Sequence, residues 1–136
     1  MPMQQIIYAS RPFGYSLDVL AGILATARLR NARYNITGAL ICRSDIYLQL
    51  LEGPTGKTEE IFQHITEDDR HTEVELLVRA RVHERLFPDW AMHHDPAETW
   101  LWPPDEIRNG VLSQKSAREI RGIFVRSAMS LDSQSL

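Results

Sequence analysis

ITGALICRSDIYLQLLEGPTGKT, residues 36 to 58, is the stretch on which the fold turns. Two apolar runs, ITGALIC and IYLQLLEG, flank the polar spacer RSD, which is short enough for a hairpin. They read as two adjacent antiparallel strands. Beyond Gly53 and Pro54 the pattern changes: Ile61, Phe62 and Ile65 recur on one helical stripe until the charged cluster EDDRH, residues 67 to 71, stops it. A helix therefore follows the hairpin.

The junction between strand and helix, GPTGKT, invites a nucleotide-binding reading. A phosphate loop of the form G-x-x-x-x-G-K-[ST] must wrap its backbone amides around the phosphates before the Lys and the Ser or Thr engage them. Here only Pro54 and Thr55 separate Gly53 from Gly56, and Leu51 occupies the position of the missing glycine, inside the strand. The loop is two residues too short. A tight strand-to-helix turn, with Thr55 near the cap and Pro54 beside it, explains the same letters, and a nucleotide hydrolase is rejected.

On the N-terminal side, QQIIYAS (residues 4–10) is a β-rich run closed by the turn residues Pro12 and Gly14. Ser16 can then cap a helix in which Leu17, Leu20, Ile23, Leu24 and Ala27 recur at steps of three and four, running to about Arg33. On the C-terminal side, EVELLVRARVHERLF begins with alternating Val74, Leu76 and Val78 and reads as a strand, and FPDWAMHH as another with Trp90 and Met92 on one face. The expected order is β-α-β-β-α-β-β. It describes an α+β, ferredoxin-like fold: a mixed five-stranded sheet with two helices on one face and C-terminal helices covering the other. The cover is expected from SAREIRGIFVRSAM, where Ser116 and Glu119 form a capping-box pair and Ala117, Ile120, Phe124 and Ala128 keep helical spacing. Residues 96–109, with Trp100, Trp102, Pro103 and Pro104, read as a connection across the domain edge, and SLDSQSL at the end as a frayed tail.

A chain of 136 residues with 43% hydrophobic and 24% charged residues suits one folded, water-soluble domain. Fifteen Lys and Arg against eighteen Asp and Glu form no dense block of either sign, so no nucleic-acid partner is expected. No run of about 18 apolar residues exists and the N-terminus has no signal-peptide pattern; the expectation is a cytoplasmic protein with no membrane partner. The single cysteine, Cys42, lies inside an apolar run and reads as a small buried hydrophobe. His93, His94 and Asp95 are adjacent, but neighbouring strand residues point to opposite faces, so no metal is expected. Neither Cys42 nor any serine has the setting of a catalytic nucleophile.

Several polar residues sit among apolar ones. Gln49 interrupts IYLQLL and shares a face with Tyr47 and Leu51, which tips it inward, where a buried amide needs partners. Tyr8 shares the first strand with Ile6, Asn31 ends the first helix, and Asp68, Arg70 and His71 close the second, where a surface charge cluster is the plainer alternative to an anion or polyol contact.

Together IYAS, ILATARLRNARYNITGAL, YLQLLEGP, EDDRH and FPDWAM resemble, in order and spacing over residues 4 to about 95, the BLUF family of blue-light sensors using flavin, in a short stand-alone form. The resemblance implies a flavin-binding domain over residues 1–95 and a C-terminal connection and helical extension, packed on the sheet, over residues 96–136. It implies a non-covalently held oxidised flavin, FAD with FMN or riboflavin as alternatives, between the two helices and against the sheet. By family motif Tyr8 is the electron and proton donor and Gln49 the amide bridging Tyr8 and the ring. Asn31 holds the polar edge of the ring, Ile23 and Ile65 sandwich it, and Asp68, Arg70 and His71 match ribityl-side contacts. Trp90 and Met92 match the strand-five pair near Gln49 and the relay of the signal. Ala27 stands where the family often has Ser, and Arg30 where a smaller polar residue or His is common. The implied protein is a sensor and not an enzyme, signalling to a separate downstream protein, with a homodimer as a further partner arrangement. An acylphosphatase-like hydrolase using Arg11 and Asn35 is the rival on the same frame, but Pro12 removes an amide from the loop such an enzyme needs. A colourless interaction module is the other alternative.

Overall fold

The computed structural model describes residues 3–12, 17–43, 45–67, 71–88, 93–96 and 103–134. Along the chain lie β1 (Met3–Pro12), α1 (Leu17–Arg33), β2 (Thr37–Arg43), β3 (Ile46–Pro54), α2 (Thr55–Thr66), β4 (His71–Val82) and β5 (His93–Pro96). There follow α3 (Pro104–Arg108), a 3-10 turn (Val111–Gln114) and α4 (Ala117–Gln134). β4, β1, β3 and β2 form an antiparallel sheet in that order, and β5 lies parallel to the outer side of β2. The fold is α+β.

Strand alternation divides the core in two. Ile6 and Tyr8 of β1, Leu40 and Cys42 of β2, and Tyr47 and Leu51 of β3 face one way, against Leu20, Ile23, Leu24 and Ala27 of α1 and Ile61, Phe62 and Ile65 of α2. Ile7, Ala9, Ala39, Ile41, Leu48 and Leu50 face the other way, against Ile107, Leu112, Ile120 and Phe124. A sheet buried on both faces must read as continuous apolar runs, which explains why β2 and β3 look almost uniformly hydrophobic. α4 starts where Ser116 Oγ accepts the Glu119 backbone N–H at 3.1 Å and donates to Glu119 Oε1 at 3.3 Å.

The hairpin is held at its turn by Arg43, whose Nε and Nη2 donate to Asp45 Oδ1 and Oδ2. β3 then runs to Pro54 and α2 begins at Thr55, so no loop intervenes that could wrap a phosphate. Thr58 Oγ1 donates back to Pro54 O at 2.8 Å, which satisfies a carbonyl at the junction.

The boundaries of several elements differ from the sequence expectation. α2 ends at Thr66 with Glu67 as its C-cap, and His71, expected to close that helix, opens β4 opposite Pro12. Val74 begins the alternation visible in the sequence, but pairing with β1 extends the strand three residues further back. The last strand was expected over FPDWAMHH. Phe87 and Pro88 lie instead in the turn after β4, β5 runs His93–Pro96, and Trp90 and Met92 fall outside the described residues. α4 continues to Gln134, into the segment expected to fray, because the apolar spacing that starts it carries the backbone on.

Two glycines make opposite predictions. A Cβ on Gly38 of β2 would lie 1.9 Å from Leu50 O, whereas one on Gly122 of α4 would meet nothing within 4 Å. Gly38→Ala should push β2 off β3 and cost about 1–3 kcal/mol. Gly122→Ala should stabilise by about 1 kcal/mol through helix propensity. Urea denaturation of the two variants against the parent chain reads both signs in one experiment.

Candidate flavin site

β1 and β3 pair in a register that sets Tyr8 directly opposite Gln49. Both are buried, at 0% and 1% exposure, on the face beneath the helices. Tyr8 Oη donates to Gln49 Oε1. From above, the Phe62 ring of α2 packs on Tyr8 with centroids 5.2 Å apart and planes tilted by 50°, a geometry that aromatic quadrupoles favour and that orients the phenol. The buried amide inferred from the neighbours of Gln49 thus has a phenol as one partner.

Asn31 is fully buried near the end of α1, and its backbone carbonyl accepts the amides of Tyr34 and Ile36 at 3.2 and 2.9 Å. These bonds close the helix and turn the chain into β2. The carboxamide is therefore held inside the fold at a helix terminus, where an amide is usually solvated. Ile23 of α1 and Ile65 of α2 are buried in the same apolar cluster as Tyr8. Ala27 is buried with the α1 stripe, so no hydroxyl is supplied at that position.

The structure therefore brings Tyr8, Gln49, Ile23, Ile65 and Asn31 to the helix-facing side of the sheet. His71 is on β4, at the end of the strand pairing with β1, and not on α2. Asp68, Arg70, Trp90 and Met92 lie outside the described residues. Among the described residues no three His, Cys, Asp or Glu gather as a metal cluster.

The donor set suits a flavin. An isoalloxazine ring has an apolar dimethylbenzene end and a pyrimidine edge of alternating carbonyls and N–H groups. Two carboxamides, each with a donor and an acceptor, and one phenol among Ile, Leu and Phe side chains match both parts.

A second polar group, on the opposite face, escaped the sequence reading. Glu52 of β3 is fully buried and accepts Leu86 N at 3.0 Å on Oε1, Phe87 N at 2.7 Å on Oε2, and Gln5 Nε2 at 3.2 Å on Oε1. It ties down the turn that leaves β4. Arg85 reinforces the turn by donating to Thr37 Oγ1, Glu52 O and Asn35 O at 2.8, 2.9 and 2.8 Å. The signal was present in the sequence: Glu52 shares a face with Leu48 and Leu50 as Gln49 does with Tyr47 and Leu51. Burial raises the Glu52 carboxyl above its ordinary 4.5, partly offset by the amides of Phe87, Leu86 and Gln5 and by the charge of Arg85.

Comparison with known proteins matches residues 3–93 to the family described as BLUF, sensors of blue light using FAD. Photoactivated adenylate cyclase subunit beta of Euglena gracilis is 38% identical over 88 residues, 64% of this chain and 10% of that protein. The chain thus spans about a tenth of the length of the curated relatives it matches. Among solved structures, the dark state of BlrB, a BLUF protein, is 28% identical with a TM-score of 0.78 over 94% of this chain and 96% of that one. Klebsiella pneumoniae BlrP1 with FMN and cyclic diGMP is 27% identical, with a TM-score of 0.65 over 82% of this chain and 30% of that one.

The raised Glu52 carboxyl predicts a pH dependence. An acid that holds its proton more tightly when folded stabilises the fold fully below its unfolded value, and that contribution is lost as pH rises through the folded value. Glu52→Gln removes the titration. The stability of the parent chain minus that of Glu52→Gln should therefore fall as pH rises from 4.5 towards neutrality, measured by urea denaturation at several pH values. A difference that grows with pH would contradict the burial argument.

Proposed function

The chain belongs to the BLUF family of blue-light sensors using FAD, and on that premise we propose that Tyr8 and Gln49 form its light-driven hydrogen-bond switch. The direct bond between the two side chains, buried beneath α1 and α2, is the observation that carries this reading. BLUF domains are sensory modules that bind a flavin and signal to fused or partner effectors.

We assign the ring to the space beneath α1 and α2, flanked by Ile23 and Ile65, with Asn31 and Gln49 serving its polar edge. FAD is the proposed form, with FMN as the alternative that the FMN-containing BlrP1 structure favours. His71, Asp68 and Arg70 are proposed for the ribityl side, and Trp90 and Met92 for the output path beside Gln49. When bound, the oxidised flavin supplies a blue-absorbing ring that becomes a strong one-electron oxidant on excitation.

Tyr8 is suited to answer it because a phenol can release an electron together with its Oη proton, and the Oη–Gln49 bond gives that proton a prepared acceptor. Gln49 carries an acceptor oxygen and a donor nitrogen, so rotation or tautomerisation within the side chain exchanges its hydrogen-bonding ends and resets its bond to Tyr8 across the β1 and β3 pair. Tyr8 then takes back its electron and a proton. No net oxidation or reduction remains; what persists is an altered hydrogen bond from Gln49, read as a small, reversible red shift. The protein equilibrium moves only as far as an effector distinguishes the two states.

The purified chain should be yellow, or become so with added flavin, and its absorption should shift reversibly to the red under blue light. A colourless preparation that takes up no flavin overturns the sensor reading. Gln49→Leu should keep the flavin and abolish the shift, and Tyr8→Phe should block the photoreaction. Retention of the normal shift in both would overturn the switch while leaving flavin binding intact.

A further inference from the structure

On the sheet face away from the helices α1 and α2, three side chains form a single polarised chain of hydrogen bonds. Arg121 Nε of α4 donates to Gln5 Oε1 of β1 at 3.0 Å, and Gln5 Nε2 donates to Glu52 Oε1 of β3 at 3.2 Å. Glu52 in turn holds the backbone amides of Leu86 and Phe87. The chain joins α4, β1, β3 and the turn after β4.

The two links between side chains run in one direction, from a guanidinium to a carboxyl group. Gln5 fits only one way round: inverting its amide would set N–H against the guanidinium and oxygen against the Glu52 oxygens. Gln5 is fully buried, so neither mismatch could be relieved by solvent. Gln5 is thus a clamp, in contrast to the proposed role of Gln49.

The clamp and the switch share the same two strands. Gln5 is paired with Glu52 in the register that pairs Tyr8 with Gln49, three residues along each strand. An odd separation places the two pairs on opposite faces. A rearrangement that shifts β1 against β3 at Tyr8 and Gln49 must therefore be felt at Gln5 and Glu52. Ile120 and Phe124 also hold α4 on the sheet, but through non-directional apolar contacts. A hydrogen-bonded guanidinium makes it follow.

We propose that Gln5 and Arg121 are positioning residues of the output, which make α4 move with the β1 and β3 pair so that α4 presents the light-dependent surface to an effector. This rests on the light-sensing reading above. The clamp does not touch the helix-facing side of the sheet, and the apolar cross-strand neighbours hold the β1 and β3 register without it, so the red shift should survive its loss.

Hydrogen exchange of the α4 amides, compared in darkness and under continuous blue light, tests the proposal when the absorption spectrum is recorded on the same flavin-loaded samples. The unaltered chain should show a light-to-dark ratio of exchange rates in α4 clearly different from one. Arg121→Met, which leaves Gln5 and Glu52 in place, and Gln5→Leu should keep the red shift while the ratio collapses to one. Arg121→Lys, which restores a donor, should recover part of it. A merely structural role would change dark and light protection by the same factor and leave the ratio as it was, which would overturn the proposal. So would a red shift in the unaltered chain with no change in α4. Absence of the red shift in the unaltered chain would overturn the light-sensing reading and this inference with it.

Discussion

The antiparallel register of β1 with β3 is the constraint on which the molecule depends. These strands occupy the middle of the sheet, and a one-residue slip would carry every side chain to the opposite face. Were β1 to slip, Tyr8 would leave Gln49 for the opposite face, and Gln5 would leave Glu52 for the helix-facing core. The register is held by apolar neighbours on both faces, Ile6 with Leu51 on one side and Ile7 with Leu50 on the other. It is held again by two polar cross-strand pairs, each satisfied only in this alignment. The Tyr8 and Gln49 pair and the Gln5 and Glu52 pair are thus both satisfied by one and the same register.

The two helices do different work above this sheet. α2 grows directly out of β3, so its first turn is fixed by the strand, and Phe62 and Ile65 arrive over Tyr8 with little freedom. Gly53 permits this directness, since a Cβ there would lie 2.9 Å from Asn35 O, where the chain enters β2. α1 is joined to the strands on either side by longer connections. A binding space between two helices and a sheet is easiest to maintain when one wall is rigidly attached and the other spans the gap.

Much of this was legible in the sequence, for reasons that also explain what was not. Alternation and helical spacing are properties of ten or more residues, so the strand and helix order through β4 emerged from residues such as Ile23, Ile61 and Val78. Gln49 was recognised as buried because its same-face neighbours are apolar. Glu52 obeys the same logic but sits at the end of its strand, where a charged residue ordinarily meets solvent, and the amides that satisfy it come from Leu86 and Phe87, some 34 residues on. No local pattern encodes such a partner. The start of β5 is likewise set by pairing with β2 from Ala39 to Cys42 and not by its own four residues. His71 was assigned to the wrong element because charge clusters mark helix ends only on average.

Cys42 acquires a use from its position. It is the one cysteine of the chain and lies 2% exposed on the helix-facing side of β2, in the same cluster as Tyr8, Ile23 and Ile65. A thiol reagent can reach it only when the helices lift from the sheet. Its labelling rate is therefore an intrinsic gauge of how often the space between helices and sheet opens, and an occupant wedged between those helices would slow it in proportion to its own residence there.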